Sequence, residues 1–321
     1  MKIQPLRKAS IITLSIALLL TVTGLLGYSL YFNRGFNERP FNTKVAMHFF
    51  SMGEASNFID LSGRNVLEFV DGCNFYDFSA KSMQDQVGVD PQGIPRYCYQ
   101  RGATHLDGVF LWGDSHAQML TYGMVKNLPR QYEFHQVARS ACRPTIRATS
   151  DSLCSKTNQF ALQEIAALRP AVVVVAQRDA WEQDDVEQLR SKLIELGVNQ
   201  ILFLGKSPEW KADLPKVVLR KYWLNTPRRS LAFLNTDNFG IDLKAKFYVN
   251  AGPQSQFVDL NTLFCDADGC LVYLGDDPKV GLTSLDGNHL SPIASDYLAK
   301  ELLVPMIIQG IDSRPSSRAA I

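Results

Sequence analysis

The sequence predicts an α/β fold, namely a three-layer α/β/α domain with a parallel sheet of roughly five strands, preceded by one transmembrane helix. Short runs rich in Val, Ile and Leu alternate with segments whose apolar residues recur at helical spacing. Such runs are typical of parallel strands that helices cover on both faces. Residues 9–32 form a separate uncharged segment, and all six cysteines follow it. The 321 residues therefore suffice for one substantial domain and a membrane segment.

Strands and helices can be placed in chain order from the apolar pattern. The predicted strands are residues 109–112, 133–137, 171–176, 200–204 and 256–259. The predicted helices between them are residues 117–126, 158–168 and 184–196. Gly197 is a typical helix stop, and Ser291-Pro292 is a plausible start for the final helix because proline favours the first helical position.

One long segment, residues 205–254, predicts an irregular connection rather than a regular element. It contains aromatic residues that could stack on sugar rings in a lid or wall, or could simply pack the core of the domain. These residues are Trp210, Tyr222, Trp223, Phe233 and Phe239. Both interpretations stay open from the sequence.

Residues 9–32 contain no charged residue over 24 positions, enough for a helix to cross a hydrocarbon core of about 30 Å. We therefore expect residues 1–8 in the cytoplasm, residues 9–32 as an uncleaved single-pass anchor in a bacterial inner membrane, and the remainder on the periplasmic or extracellular side. A cleavable signal peptide is the alternative, although no small-x-small site ends the stretch. The flanking cations decide little, because they occur on both sides: Lys2, Arg7 and Lys8 before it, and Arg34, Arg39 and Lys44 after it.

The six cysteines favour the same orientation, because disulfides persist outside the cytoplasm. Proximity in the chain predicts three pairs, although six cysteines allow fifteen connectivities and free buried thiols remain the alternative. The predicted pairs are Cys73 with Cys98, Cys142 with Cys154, and Cys265 with Cys270. No C-x-x-C or H-E-x-x-H motif indicates a metal, and we expect no cofactor. The formal net charge of +1 gives no electrostatic case for nucleic acid.

Two short motifs carry the chemistry of the chain. Gly113-Asp114-Ser115-His116 closes the apolar run before it, and Asp286-Gly287-Asn288-His289 lies near the carboxyl end. A serine becomes a useful nucleophile when a histidine takes its proton and a carboxylate orients that histidine. The motifs therefore predict Ser115 as nucleophile, His289 as general base and Asp286 as the orienting acid, with Gly113, Asp114 and His116 supporting the turn.

At these motifs the sequence resembles the SGNH (GDSL-type) hydrolase superfamily. The longer strings 111–117 and 286–291 are closer to the SGNH domain at the carboxyl end of bacterial acyltransferase-3 membrane proteins, which O-acetylate envelope polysaccharides. The resemblance covers about residues 60 to 308 and implies an SGNH-like domain at 106–310. Residues 33–105 are then a linker with a disulfide-tied extension, and residues 311–321 a disordered tail.

The middle of the chain departs from that family. The superfamily usually supplies an oxyanion-hole Asn from a Gly-x-Asn-Asp block, whereas this chain has Gln177-Arg178-Asp179 after its apolar run. Loss of one oxyanion donor typically costs about a hundred- to a thousandfold in rate. The candidates for the missing donors are the backbone N–H of Ser115, a backbone N–H near Ala141, and the Gln177 side chain.

The resemblance implies a serine enzyme that forms an acyl intermediate on Ser115. The first hypothesis is an O-acyltransferase component, with acetyl as the expected group, that takes an acyl donor and an envelope glycan acceptor. Because the helical bundle of the resembled proteins is missing, the expected possibilities are half of a split system with an integral-membrane acyltransferase partner, a truncated copy, and a stand-alone esterase. Alternatives are a periplasmic carbohydrate acetylesterase and a catalytically decayed glycan-binding or assembly domain.

Overall fold

The computed structural model describes residues 5–32, 73, 75, 88–100, 108–147, 152–222, 224–278 and 280–313. The chain divides into two units, residues 1–52 and 53–321, which are described separately. Most of the predicted linker, residues 33–72, and most of the predicted tail, residues 314–321, lie outside the described residues.

The first unit contains helix α1, Pro5–Phe32, which includes residues 9–32 of the predicted anchor segment. Side chains of this helix are described for residues 13–29, and leucines such as Leu14 and Leu18 are exposed. Within the described part of the chain, no helix combines the length and the apolarity that a membrane crossing needs.

The second unit is built on a parallel five-stranded sheet with the strand order β2-β1-β3-β4-β6. Its strands are β1 Val109–Gly113, β2 Phe134–Ala138, β3 Val172–Ala176, β4 Gln200–Leu204 and β6 Ser255–Val258. Every strand pair runs parallel, and β1 and β3 are in register from Val109 with Val172 to Gly113 with Ala176. The predicted five-stranded parallel sheet is therefore confirmed, with strand ends that differ by one residue or less.

The helices of this unit follow the strands along the chain. They are α2 Ser115–Gln118, α3 Thr121–Asn127, α4 Leu153–Leu168, α5 Gln183–Glu195, α6 Leu214–Val217, α7 Asp237–Asn250, α8 Asn261–Phe264, α9 Pro292–Leu298 and α10 Val304–Asp312. Single turns of 3₁₀-helix occupy Pro91–Gly93 and Arg96–Tyr99, and wider π turns occupy Val218–Tyr222 and Ala299–Leu303.

Side chains of β1 show why the helices cover both faces of the sheet. Val109 and Leu111 belong to the apolar core that includes residues of α3, α9 and α10. Phe110 and Trp112 point the other way, into the core that includes residues of α4, α5 and α7. Because alternate residues of a strand face opposite sides of the sheet, the fully buried strand β1 contributes side chains to both cores. The result is the predicted three-layer arrangement.

The interpretation of residues 205–254 as irregular is wrong over α7. Only Asp242, Ala245 and Val249 of its described residues are buried, whereas Leu243 and Phe247 are exposed. Apolar residues on the solvent side hide the helical period from the sequence. Trp210 of the same segment is buried, which fits the core interpretation of that ring, while Trp223 lies outside the described residues.

Two other differences follow from elements that are too short to show a period. The predicted helix 117–126 is interrupted at residues 119–120, between α2 and α3. A small antiparallel sheet also forms from β5 Arg229–Ser230, β7 Cys265–Asp266 and β8 Gly269–Leu271, in the order β5-β8-β7. Strands of two or three residues carry no readable alternation.

All three predicted cysteine pairs are disulfides in the structure. Cys73 bonds Cys98, Cys142 bonds Cys154, and Cys265 bonds Cys270. The third bond joins opposite residues of the β7–β8 hairpin.

Candidate active site

Strand β1 delivers the serine to the carboxyl edge of the sheet. All five of its residues are buried, and it ends at Gly113, where an added Cβ would lie 1.9 Å from the Ala176 carbonyl oxygen. Only glycine lets β1 and β3 approach this closely. Asp114 then caps α2 by accepting a hydrogen bond from the backbone N–H of His116 at 2.7 Å. The nucleophile turn is therefore fixed on both sides of Ser115.

The turn Asp286–His289 brings the other two predicted residues to the serine. His289 Nε2 lies 2.8 Å from Ser115 Oγ, and His289 Nδ1 lies 2.7 Å from Asp286 Oδ2. Since the two ring nitrogens face a hydroxyl and a carboxylate, the ring suits a tautomer with its proton on Nδ1 and a lone pair toward the serine. The structure thus brings Ser115, His289 and Asp286 together in the order that nucleophilic catalysis needs.

The Asp286 carboxyl group is ionised at neutral pH. Burial raises the pKa of this carboxyl, but hydrogen bonds from the His289 side chain and from the backbone N–H groups of Asn288 and His289 outweigh it. The two backbone donors both contact Asp286 Oδ1 at 2.8 Å. The pKa of Asp286 consequently lies well below its usual range, so a negative charge faces the imidazole at neutral pH.

The segment from Ser207 to Leu214 holds the same turn from outside. Ser207 Oγ donates to the Asn288 carbonyl at 2.6 Å, and the Trp210 N–H donates to the Gly287 carbonyl at 2.6 Å. The Leu214 N–H donates to the Asp286 carbonyl at 2.9 Å. Three successive carbonyls are thereby fixed, and the histidine is placed by backbone as well as by its side chain.

The loop after β2 contains the candidate donor at Ala141. The Arg139 N–H donates to the Gly113 carbonyl at 3.0 Å, which keeps the start of this loop beside the nucleophile turn. Ala141 adopts a left-handed backbone with φ of 57°. Non-glycine residues in this region are strained and are enriched at functional sites. The backbone geometry therefore keeps Ala141 as a candidate donor.

Two side chains fasten this loop to the rest of the domain. Ser140 Oγ donates to Gln118 Oε1 at 2.8 Å, which connects the loop with α2. Buried Asn158 donates to the Arg143 carbonyl at 2.9 Å and accepts from Trp112 Nε1 at 3.0 Å. The loop is thus tied to the nucleophile helix and to β1.

Gln177 differs from the sequence expectation. Its side chain is buried, and its Nε2 donates to the carbonyls of Asp179 and Ala180 at 3.2 and 3.1 Å. A primary amide has two N–H donors, so both are engaged within the turn after β3. In this structure Gln177 stabilises that turn instead of offering a donor to the site. Ser115 and Ala141 remain the oxyanion candidates.

Sequence reasoning missed residues that act on the site through backbone atoms. The Arg178 N–H donates to Asp114 Oδ2 at 2.9 Å, and Ser207 and Asn158 make the contacts described above. The available signal for Arg178 is the polar pair Gln177-Arg178, which follows the buried strand β3. No local pattern identifies Ser207 or Asn158, because their partners lie far away in the chain.

Among the residues that the structure describes, no group of three or more His, Cys, Asp or Glu side chains is close enough to hold a metal ion.

The family whose sequence model matches the chain is described as SGNH domain (fused to AT3 domains), and the match covers residues 82–303. The solved periplasmic domain of a lipopolysaccharide acetyltransferase from Salmonella ser. Paratyphi A has a similar fold, with a TM-score of 0.59 and 20% identity. That similarity covers 80% of this chain and 99% of the other.

A Streptococcus pneumonia protein gives a looser structural match, with a TM-score of 0.38, 15% identity, and coverage of 66% of this chain and 88% of the other. Comparison with curated proteins gives no match. The family match extends over most of the chain and confirms the resemblance that the two motifs suggest. The chain therefore belongs to the SGNH domain family that occurs fused to AT3 domains.

Proposed function

We propose that this protein is a membrane-anchored, extracytoplasmic serine O-acyltransferase that transfers an acyl group, acetyl in the first place, to a cell-envelope polysaccharide. The observation that carries the proposal is the hydrogen-bonded series from Ser115 Oγ through His289 to Asp286, with distances of 2.8 and 2.7 Å. Nucleophile, base and orienting carboxylate are all within direct hydrogen-bonding reach.

The first half of the reaction forms an ester on Ser115. His289 Nε2 takes the hydroxyl proton while Ser115 Oγ attacks the carbonyl carbon of the acyl donor, and the ionised Asp286 stabilises the imidazolium. The oxyanion is received by the backbone N–H groups of Ser115 and Ala141. The tetrahedral intermediate then collapses, His289 returns its proton to the leaving group, and the acyl group stays on Ser115.

The second half decides the class of enzyme. A sugar hydroxyl that gives its proton to His289 and attacks the acyl-serine yields an acylated glycan, whereas water yields free acid. Transfer is favoured by the family, whose members occur fused to AT3 domains. The Salmonella protein with the similar fold is itself named an acetyltransferase, which agrees with this choice. The same triad would also serve a periplasmic carbohydrate acetylesterase.

The membrane part of the proposal depends on the first unit. Residues 9–32 lack any charge and lie on helix α1, and the three disulfides follow them. We propose that they anchor the chain in the inner membrane with the disulfide-bonded domain outside the cytoplasm. An integral-membrane acyltransferase would then deliver the acyl group. Carbonate extraction of membranes and protease treatment of spheroplasts test this, because a released or a protected domain would contradict it.

Labelling with a fluorophosphonate probe tests the nucleophile. The full chain in detergent should label, and Ser115→Ala should abolish labelling, while Ser191→Ala on the exposed face of α5 should label normally. An unlabelled wild-type protein would support the third interpretation, a decayed binding domain, and would end the enzyme proposal.

Acyl transfer from 4-nitrophenyl acetate separates the two enzyme classes. Added envelope polysaccharide should accelerate nitrophenol release and become acetylated in a reaction that Ser115→Ala lacks. Nitrophenol release with acetate as the sole acyl product, at every acceptor concentration, would replace the transferase with the esterase.

A further inference from the structure

A second histidine lies against the catalytic base. His116 follows the nucleophile directly and is only 4% exposed, and its buried Nδ1 atom has no hydrogen-bond partner among the residues that the structure describes. An unpartnered buried polar atom costs stability, and an apolar side chain at this place would avoid that cost. The imidazole is therefore a feature that packing alone does not explain.

The contact between the two rings has a definite geometry. The ring centroids of His116 and His289 are 4.8 Å apart, and the ring planes are tilted by 42°. The edges of the His289 ring are already held, by Ser115 at Nε2 and by Asp286 at Nδ1. Both contacts are made at ring nitrogens, and they leave the faces of the ring to be held by other groups. A ring packed against its side restrains the orientation of the imidazole.

One carboxylate, Asp114, and the catalytic base, His289, lie beside the His116 ring. Asp114 Oδ1 is 3.6 Å from its Nδ1, beyond hydrogen-bonding distance, and that oxygen already accepts from the His116 backbone N–H. A protonated His116 would place a second positive charge beside His289 when the base takes its proton. A neutral ring instead presents polarisable π density to the imidazolium.

We propose that His116 is a positioning residue for His289, acting as a neutral ring that orients the base and stabilises its protonated form. This inference rests on the proposed function and adds to it a fourth residue of the site. During acylation the Ser115 proton moves to His289 Nε2, and the resulting imidazolium charge is stabilised by the Asp286 carboxylate on one side and by the His116 ring on the other. His116 neither gains nor loses a proton in this step.

The test compares His116→Ala with the ring-preserving variant His116→Phe. We expect His116→Ala to lower kcat/KM for 4-nitrophenyl acetate by about ten- to a hundredfold, since small misplacements of a catalytic group are costly. His116→Phe should stay within about threefold of the wild type, because a phenyl ring supplies the same kind of face. Equal losses in the two variants would overturn the proposal.

The pH profile gives a readout that a merely structural role would not move. Loss of the ring removes a group that stabilises protonated His289, so the acid limb of kcat/KM should shift to lower pH by about half a unit in His116→Ala. His116→Phe should leave that limb in place. A shift to higher pH would mean that His116 is protonated in the working enzyme, and an unmoved limb would mean that it does not act on the base.

A double-mutant cycle shows whether His116 acts through His289. In a His289→Ala background, the further change His116→Ala should alter the residual rate less than about twofold, because the residue to be positioned is gone. An additive loss would contradict the proposal. A matched control is His135→Phe, another buried histidine, which stacks on Tyr99 away from the triad and should leave the acid limb unchanged.

Probe labelling keeps this inference distinct from the proposed function. If the wild-type protein fails to label, the proposed enzymatic function is wrong. A wild-type protein that labels, together with a His116→Ala variant that labels and titrates normally, removes only the role of His116.

Discussion

The carboxylate of Asp114 accepts the backbone N–H of Arg178 at 2.9 Å and so ties the loop after β3 to the turn that carries Ser115. Its other oxygen accepts the His116 N–H at 2.7 Å, and the side chain is buried. One carboxylate therefore accepts hydrogen bonds from two backbone N–H groups, one after the end of β1 and one after the end of β3. The aspartate of the Gly-Asp-Ser motif has a structural task in addition to its place in the sequence signature.

Replacement of Asp114 should destabilise the turn that carries Ser115 and the loop after β3. Asp114→Ala leaves two backbone donors without their acceptor, so the free energy of unfolding should fall by about 2 to 4 kcal/mol. Asp114→Asn keeps one acceptor oxygen and should lose about half as much. Urea denaturation measures the stability, and probe labelling of Ser115 measures the effect on the nucleophile. Exposed Asp268→Ala is the control, and a fully stable Asp114→Ala would refute the role.

Asn158 joins the loop that contains Ala141 to β1. Asn158→Leu removes the acceptor of Trp112 Nε1 and the donor to the Arg143 carbonyl, and it leaves the indole N–H unpaired in the core. The expected loss of stability is about 2 to 4 kcal/mol. Because the loop that contains the candidate donor Ala141 also loses this hydrogen bond, kcat should fall while KM changes little. A loss of stability without any loss of kcat would show that the loop keeps its geometry by other contacts.

The fold could be predicted from the sequence where burial is periodic, and the site where residue types are distinctive. The five strands of the parallel sheet, the cysteine pairs and the two motifs with Ser115 and His289 are of this kind. The helix at 237–250 could not, because its apolar Leu243 and Phe247 face solvent. The contacts of Ser207, Asn158 and Arg178 could not either, since each joins residues that are distant in the chain through backbone groups that every residue possesses.

The two short disulfides should differ in their effect on activity. In the chain-entropy description, removing the bond across 12 residues costs about 3 kcal/mol and removing the bond across 5 residues costs about 2 kcal/mol. The Cys142→Ser/Cys154→Ser variant also frees the loop of Ala141, so its acylation rate should fall about tenfold or more. The Cys265→Ser/Cys270→Ser variant is the matched control and should keep its rate. Equal acylation rates in the two variants would show that the Cys142–Cys154 disulfide does not contribute to the activity of the site.

Asp242 should make the free energy of unfolding depend on pH, and the Asp242→Asn variant should lack this dependence. Burial raises the pKa of this carboxyl to about 6, with the nearby Asp259 charge adding to the rise and the Lys206 N–H opposing it. A folded-state pKa above the unfolded value near 4 means that the native state binds more protons, so stability falls as pH rises from about 4 to 6. Asp242→Asn can still accept the Lys206 N–H and should gain about 1 to 3 kcal/mol at pH 7. At pH 4 the variant and the wild type should unfold alike, and a gain that is equal at both pH values would contradict the assignment.

A side chain at Gly123 should destabilise the protein, because the backbones of α3 and α9 are in contact where the two helices cross. Its N–H donates to Ser295 Oγ at 3.0 Å, and an added Cβ would lie 2.0 Å from the Ser295 carbonyl oxygen. Since that neighbour is backbone, the helices must separate, and Gly123→Ala should lower the free energy of unfolding by about 2 to 3 kcal/mol. Ser295→Ala loses only a hydrogen bond and should cost about 1 kcal/mol. Gly93→Ala is the matched control, because its Cβ would meet only the Val89 side chain at 3.2 Å, which can move aside. Thermal unfolding of the three variants decides the matter, and a Gly123→Ala protein as stable as Gly93→Ala would show that the crossing is looser than these distances require.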